Sequence, residues 1–215
     1  MDDTQTKRAY DSSRRRSMAA ANRAAVFAAA ADLFATRGWA GTSMRDVAKS
    51  AGVSVETVYS LAGGKTDLLL ATIDIGIVGD DRPVPLAERA EFLALGRGTR
   101  TDRIEAAAEL VASSNLRIAA LNRTFSQAAT ADESLAARWY ADLATQRAAY
   151  ADGMTLVLGA PPHADVIDGI WAIGSSEVYL QLTAPPDRGG AGWSTEKYRQ
   201  WLADRIDQLL PEETS

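Results

Sequence analysis

Gly63-Gly64-Lys65-Thr66 has the residue types that bind a phosphate: glycines that expose backbone N–H groups, an ammonium and a hydroxyl. A nucleotide loop of the form G-x-x-x-x-G-K-[ST] needs its first glycine six positions before Lys65, between a strand and a helix. Tyr59 stands there, and the preceding segment reads as helix. Nucleotide chemistry is therefore excluded, and Lys65 is left as a cation at a helix start, a site suited to some other phosphate. Other reactive groups are sparse. His163 is the single histidine and follows Pro161-Pro162, where capping or a surface position explains it. Asp80-Asp81 lies in a proline-rich loop without a nucleophile or histidine beside it, as solvated loop charges do. The chain has no cysteine, so disulfides and thiolate metal sites are excluded. The expectation is a non-enzyme with no cofactor and no metal.

Charge suggests where a polyanion would bind. Residues 1–65 carry 10 Lys+Arg against 6 Asp+Glu, a balance of +4, whereas residues 66–215 carry 13 against 22, a balance of −9. A basic front and an acidic body suit a protein that meets nucleic acid at one end; a merely solvated charged face is the plainer alternative. With 215 residues, 47% hydrophobic and 24% charged, there is material for a real core. Charges interrupt the apolar runs before the roughly 20 residues of a membrane span. The stretch MDDTQTKRAYDSSRRRS has no apolar segment of the kind a signal peptide carries. A cytoplasmic protein with no membrane partner is expected.

The elements that must position Lys65 are short. In GTSMRDVAKSAGVSVETVYS, Ser43 and Asp46 have capping-box spacing for one helix, with Val47, Ala48 and Ala51 on its inner face. Gly52 supplies a sharp turn, and Ser54 caps a second helix with Val58 inward. Two short helices joined by a glycine turn form a helix-turn-helix, whose second helix can enter a major groove. A helical corner without a DNA role has the same local pattern. Before this unit, NRAAVFAAAADLFATRG puts Val26, Phe27, Ala30, Leu33 and Phe34 on one stripe that ends at Gly38.

Helical spacing continues beyond it. Leu135, Trp139, Leu143 and Tyr150 share a face; residues 163–183, with Ile167, Ile170, Gly174 and Val178 in register, read as one helix; and Ser194 opens another, with Tyr198, Trp201, Leu202, Ile206 and Leu209 as its stripe. Breaks rich in Pro or Gly fall at 79–85, 95–99, 159–163 and 184–192. The expected fold is all-α, about nine helices. A basic flexible arm at 1–18 and a three-helix helix-turn-helix domain at 19–65 would precede a larger helical bundle at 66–215.

Residues 23–69 resemble the DNA-binding domain of TetR-type transcriptional regulators. The features carrying the resemblance are Ala30, Leu33 and Phe34, then Gly38-Trp39, Thr42, Val47-Ala48, Ala51-Gly52-Val53-Ser54, Thr57-Val58-Tyr59 and Lys65. Ala62 departs from it, because the family usually has an aromatic there, and with Gly63-Gly64 it loosens the joint that holds Lys65. The resemblance implies that Thr42, Tyr59 and Lys65 bind DNA phosphates, with Ser43 at the same helix start. It implies base readout by Arg45, Val55, Glu56, Thr57 and Ser60. Glu56 is equally explained as a solvated carboxylate at a helix start. Arg14, Arg15 and Arg16 are candidates for arm contacts to phosphates or a minor groove.

The resemblance further implies that the bundle senses a small-molecule effector and forms a homodimer through its last two helices. Phe125, Trp139, Tyr140 and Trp171 are the candidate pocket residues, although each aromatic taken alone is more often plain core. Gly174, Ser175, Tyr179, Tyr198 and Trp201 are the candidate interface. The implied function is a ligand-responsive repressor that binds a palindromic double-stranded operator as a dimer. The alternative is a helical ligand-binding or scaffolding protein whose helix-turn-helix no longer grips DNA.

Overall fold

The structure, a computed structural model, describes residues 3–80, 82 and 84–211, with the side chains of residues 3–16 outside that description. Among the described residues all regular structure is helical. The helices are α1 (Asp3–Arg37), α2 (Met44–Ala51), α3 (Val55–Ala62), α4 (Lys65–Val78), α5 (Ala90–Leu93, a single turn), α6 (Arg100–Ala129), α7 (Glu133–Leu158), α8 (Ala164–Ile173), α9 (Ser176–Thr183) and α10 (Thr195–Leu209). The four Pro/Gly-rich breaks all fall between helices. Contacts divide the chain into two compact units, Met1–Asp74 and Ile75–Ser215.

In the first unit the α1 stripe is interior, with Val26, Phe27, Ala30, Leu33 and Phe34 buried. Each large side chain removed from water in this way contributes about 1.5–3 kcal/mol. Gly38 ends α1 with φ 67°, a left-handed conformation that a side chain would strain, and its N–H bonds Phe34 O at 3.1 Å. The segment Ser17–Arg37 has the length and mean composition of a membrane span, because alanine raises its hydropathy without adding bulk. Its Val26, Phe27, Leu33 and Phe34 are spent in this core, while Met18 is exposed. α1 also runs through the stretch expected as a basic arm, and the side chains of Arg14, Arg15 and Arg16 lie outside the described residues.

The second unit is organised around α6, which packs on α7, α9 and α10. Alanines at 107, 108, 112, 119 and 128 are buried on α6 and let its neighbours approach. Ile104, Ile170, Leu202 and Ile206 fill the core between them. Asp80, read above as a solvated loop charge, has a structural role instead. It takes two hydrogen bonds at 3.0 Å from the buried Arg89 guanidinium, which also donates to Val84 O and Arg82 O. Hydrogen bonds from Arg82 and then Arg89 hold the Asp80 carboxyl well below the usual carboxylate range.

The stretch expected as one helix over 163–183 is two, because the ladder stops at Gly174. Its carbonyl is occupied by Asn115 Nδ2 at 2.8 Å and the Tyr150 hydroxyl at 2.9 Å, and Tyr198 donates to Ile173 O at 3.1 Å. Ser175 then caps α9 by accepting from Val178 N. Burial pushes the Tyr150 and Tyr198 phenols up from their ordinary pKa, so both remain neutral donors.

Candidate functional site

Local chemistry builds the α2–turn–α3 unit. Ser43 N donates to Asp46 Oδ2 at 3.0 Å and Asp46 N donates to Ser43 Oγ at 3.2 Å, a reciprocal capping box. The Ser43 side-chain and then backbone hydrogen bonds hold the Asp46 carboxyl below the usual carboxylate range. Gly52 turns the chain at φ 68°, and Val53 N bonds Ala48 O at 3.1 Å. Ser54 Oγ accepts from Thr57 N at 3.2 Å and starts α3. Met44, Val47, Ala48 and Val58 are buried between the two helices and the rest of the unit.

This inward face leaves another set outward. Ser43, Arg45, Glu56, Tyr59 and Ser60 are exposed, Tyr59 by 53%, while Val55 and Thr57 are half-buried. The Thr57 hydroxyl lies 3.0 Å from Ser54 Oγ. Thr42 needs a correction. It is 1% exposed, and its hydroxyl lies 3.0 Å from Leu33 O and 2.9 Å from Gly38 O. That hydroxyl braces the end of α1 from the inside of the unit.

Lys65 has partners that spacing alone does not reveal. Its Nζ donates to Trp39 O at 2.5 Å and sits 4.2 Å from the centre of the Trp39 ring, which stacks at 6.0 Å on Phe34. A column from Phe34 through Trp39 thus fixes the ammonium (a cation–π contact) at the N-terminus of α4. Burial lowers the Lys65 pKa and the nearby Asp46 charge opposes the shift. Around the joint beside Ala62, Gly63 N bonds Tyr59 O at 2.8 Å and Gly64 N bonds Asp67 Oδ2 at 3.1 Å. These bonds and the Trp39 contact brace the joint without an aromatic at 62.

A half-open pocket of about 290 Å³ lies on the second unit. Trp139 and Trp171 line it together with Asn122, Gln146, Ser176 and Glu177. Phe125 is fully buried behind this wall, edge-on to Trp139 at 5.2 Å. Tyr140 is not among the lining residues: it stands on the outer side of α7, 68% exposed. Asn115 and Asn122 were missed in the sequence. Their spacing of seven residues, two helical turns, along an alanine-rich buried face was the available signal.

Several candidate interface residues are interior instead. Tyr179 and Tyr198 are buried and pack edge-to-face at 5.0 Å, since their rings fill the space among α6, α9 and α10. Gly174 and Ser175 form the α8–α9 break, and Trp201 is half-buried against Tyr198 at 5.9 Å. His163 caps α8, its Nδ1 accepting from Asp165 N at 3.4 Å. Among the described residues no group of three or more His, Cys, Asp and Glu side chains could hold a metal ion.

Residues 26–72 match the profile of the bacterial regulatory proteins, tetR family. The match runs from the buried part of α1 through α2 and α3 into α4, and it identifies the first unit as a DNA-binding domain of transcriptional regulators. A solved structure from Mesorhizobium loti, whose name places it in the TetR family of transcriptional regulators, aligns with a TM-score of 0.56. The alignment covers 89% of this chain and 96% of that one at 18% identity, a likeness of fold. Among curated proteins there is no match.

Proposed function

We propose, on the premise that this chain carries the helix-turn-helix domain of the TetR family, that it is a dimeric repressor binding a palindromic operator in the cytoplasm and released by a small molecule. The observation that carries the reading is the outward face of α2 and α3, with Arg45, Tyr59 and Ser60 exposed beside the Trp39-held Lys65. Arg45 has the fork to read a guanine, and Tyr59 and Lys65 donate to phosphates on either side of it. Arg14, Arg15 and Arg16 would add backbone or minor-groove contacts. A two-fold dimer sets two such faces about one DNA turn apart. With Tyr179 and Tyr198 interior, the half-buried Trp201 and the exposed Leu209 are apolar groups that α10 leaves for that dimer. Effector in the second unit's pocket would shift the population toward dimers whose recognition helices miss this spacing.

Selection of bound DNA from a random pool tests the proposal, and an enriched palindrome is the expected result. In mobility shifts on that site, Lys65→Ala should weaken binding to all sequences and reduce the salt slope by about 1. Arg45→Ala should lose about 1–3 kcal/mol of discrimination at one base pair. No enriched site, or unchanged binding in both variants, sinks the operator assignment. A second reading, a ligand-binding protein whose helix-turn-helix is silent toward DNA, is favoured by one observation: Lys65 is engaged by Trp39 and is not extended into solvent. Ligand binding without any enriched DNA would select it.

A further inference from the structure

Lys65 is held by a neutral partner, and that neutrality decides what the contact does. Its Nζ donates one of three N–H protons to Trp39 O at 2.5 Å and sits 4.2 Å from the centre of the Trp39 ring. A carboxylate partner would compensate the ammonium and compete with a phosphate for it. An indole ring and a carbonyl hold the ammonium and leave its charge whole. Asp46, the carboxylate whose charge reaches Lys65, is spent on its own cap: its Oδ2 accepts from Ser43 N at 3.0 Å and from Ser43 Oγ at 2.5 Å. The other two N–H protons of Lys65 have no acceptor among the described residues.

Trp39 is itself anchored to the core. Its ring stacks at 6.0 Å and 12° on Phe34, which is fully buried. Its carbonyl also accepts from Thr42 N at 3.4 Å, and the buried Thr42 hydroxyl ties the same turn to Leu33 O and Gly38 O. The turn after α1 is thus pinned, and the ring with it. A lysine side chain loses rotamer freedom when it binds, and one already seated on a ring has lost part of it beforehand. We infer that Trp39 is a positioning residue for the phosphate contact of Lys65, raising DNA affinity by presetting the ammonium, an inference that rests on the DNA-binding reading. The rival sense of the same geometry, a ring that withholds Lys65 from DNA, has the opposite sign.

Mobility shifts of the full chain on the oligonucleotide enriched from the random pool test that sign, with Trp39→Leu, Lys65→Ala and the double variant. An exposed cation–π contact corresponds to about two- to fivefold in affinity, and a dimer carries it twice, so Trp39→Leu should weaken binding by about 4- to 25-fold. In the Lys65→Ala background the same change should alter binding by less than about twofold, because the group it acts through is gone; a purely structural effect of Trp39 would persist there. Trp39→Phe keeps a ring against Phe34 but offers a weaker face, so it should fall between, and it carries the cycle if Trp39→Leu does not fold. NMR without DNA checks the contact itself. The chain has four lysines, and the Lys65 Hε signal, assigned by its loss in Lys65→Ala, should lie upfield from the ring current and return in Trp39→Leu. Lys197, 4.2 Å from the Trp193 ring centre, should stay shifted as the control. Tighter or unchanged binding in Trp39→Leu, an equal loss in both backgrounds, or an unshifted Lys65 signal overturns the inference and leaves the DNA reading standing. Wild-type protein that enriches no site overturns that reading and the inference with it.

Discussion

Two helix–turn–helix joints in this chain look alike in sequence and are held by different physics. Ala51-Gly52-Val53-Ser54 joins α2 to α3, and Gly174-Ser175 joins α8 to α9. At the first, Gly52 has φ 68°, open space where a Cβ would sit, and caps supplied from within four residues. At the second, Gly174 has an ordinary φ of −84°, and its neighbourhood is filled by Tyr150. The bonds that stop α8 come from Asn115 and Tyr150, tens of residues away. The first glycine is needed for its backbone, the second for the room it leaves.

The sharpest way to break this contrast is Gly174→Ala. The new methyl would collide with the Tyr150 hydroxyl and ring, so urea unfolding should show a loss of about 3 kcal/mol, overpacking plus a displaced hydrogen bond. A loss under 1 kcal/mol would mean that Tyr150 does not hold the break. Asn115→Ala should follow at about 2 kcal/mol, because it removes one donor from Gly174 O and strands the Ser176 proton. Gly52→Ala meets no atom and should cost only its left-handed conformation, about 1 kcal/mol, with Gly52→Asn costing less.

The smallest effect is in pH. The Asp46 carboxyl has a folded pKa below its unfolded value of about 3.9, so the stability it adds is complete above that value. It is lost as pH falls through the lower folded value. The side chains that bond the carbonyls at the α8–α9 break are an amide and two phenols shifted upward, none of which titrates there. Hydrogen exchange between pH 5 and pH 3 should therefore loosen the start of α2 before the start of α9. Equal loosening at both would remove the distinction.

This difference also explains what could be read beforehand. The capping box at Ser43 and Asp46, the glycine turn and the buried Val47, Ala48 and Val58 were legible because their causes lie within a turn or two of each residue. The break in 163–183 was not, since periodicity at Ile167, Ile170 and Val178 continues straight through it. Tyr179 and Tyr198 were equally ambiguous: an aromatic on a helical stripe has the same spacing whether a neighbouring helix or a second chain covers it.

By itself the sequence determined the helical class, the four Pro/Gly-rich breaks and the α2–turn–α3 unit with its outward Arg45 and Tyr59. Those rest on backbone preference and on caps between near neighbours. Only tertiary structure decided that Thr42 faces inward, that Trp39 holds Lys65, and that Asn122 carries a buried acceptor without a partner. Each of these depends on groups brought together from distant positions. A hydrogen bond has a direction, and which atom is left over can be counted only when all its partners are in place.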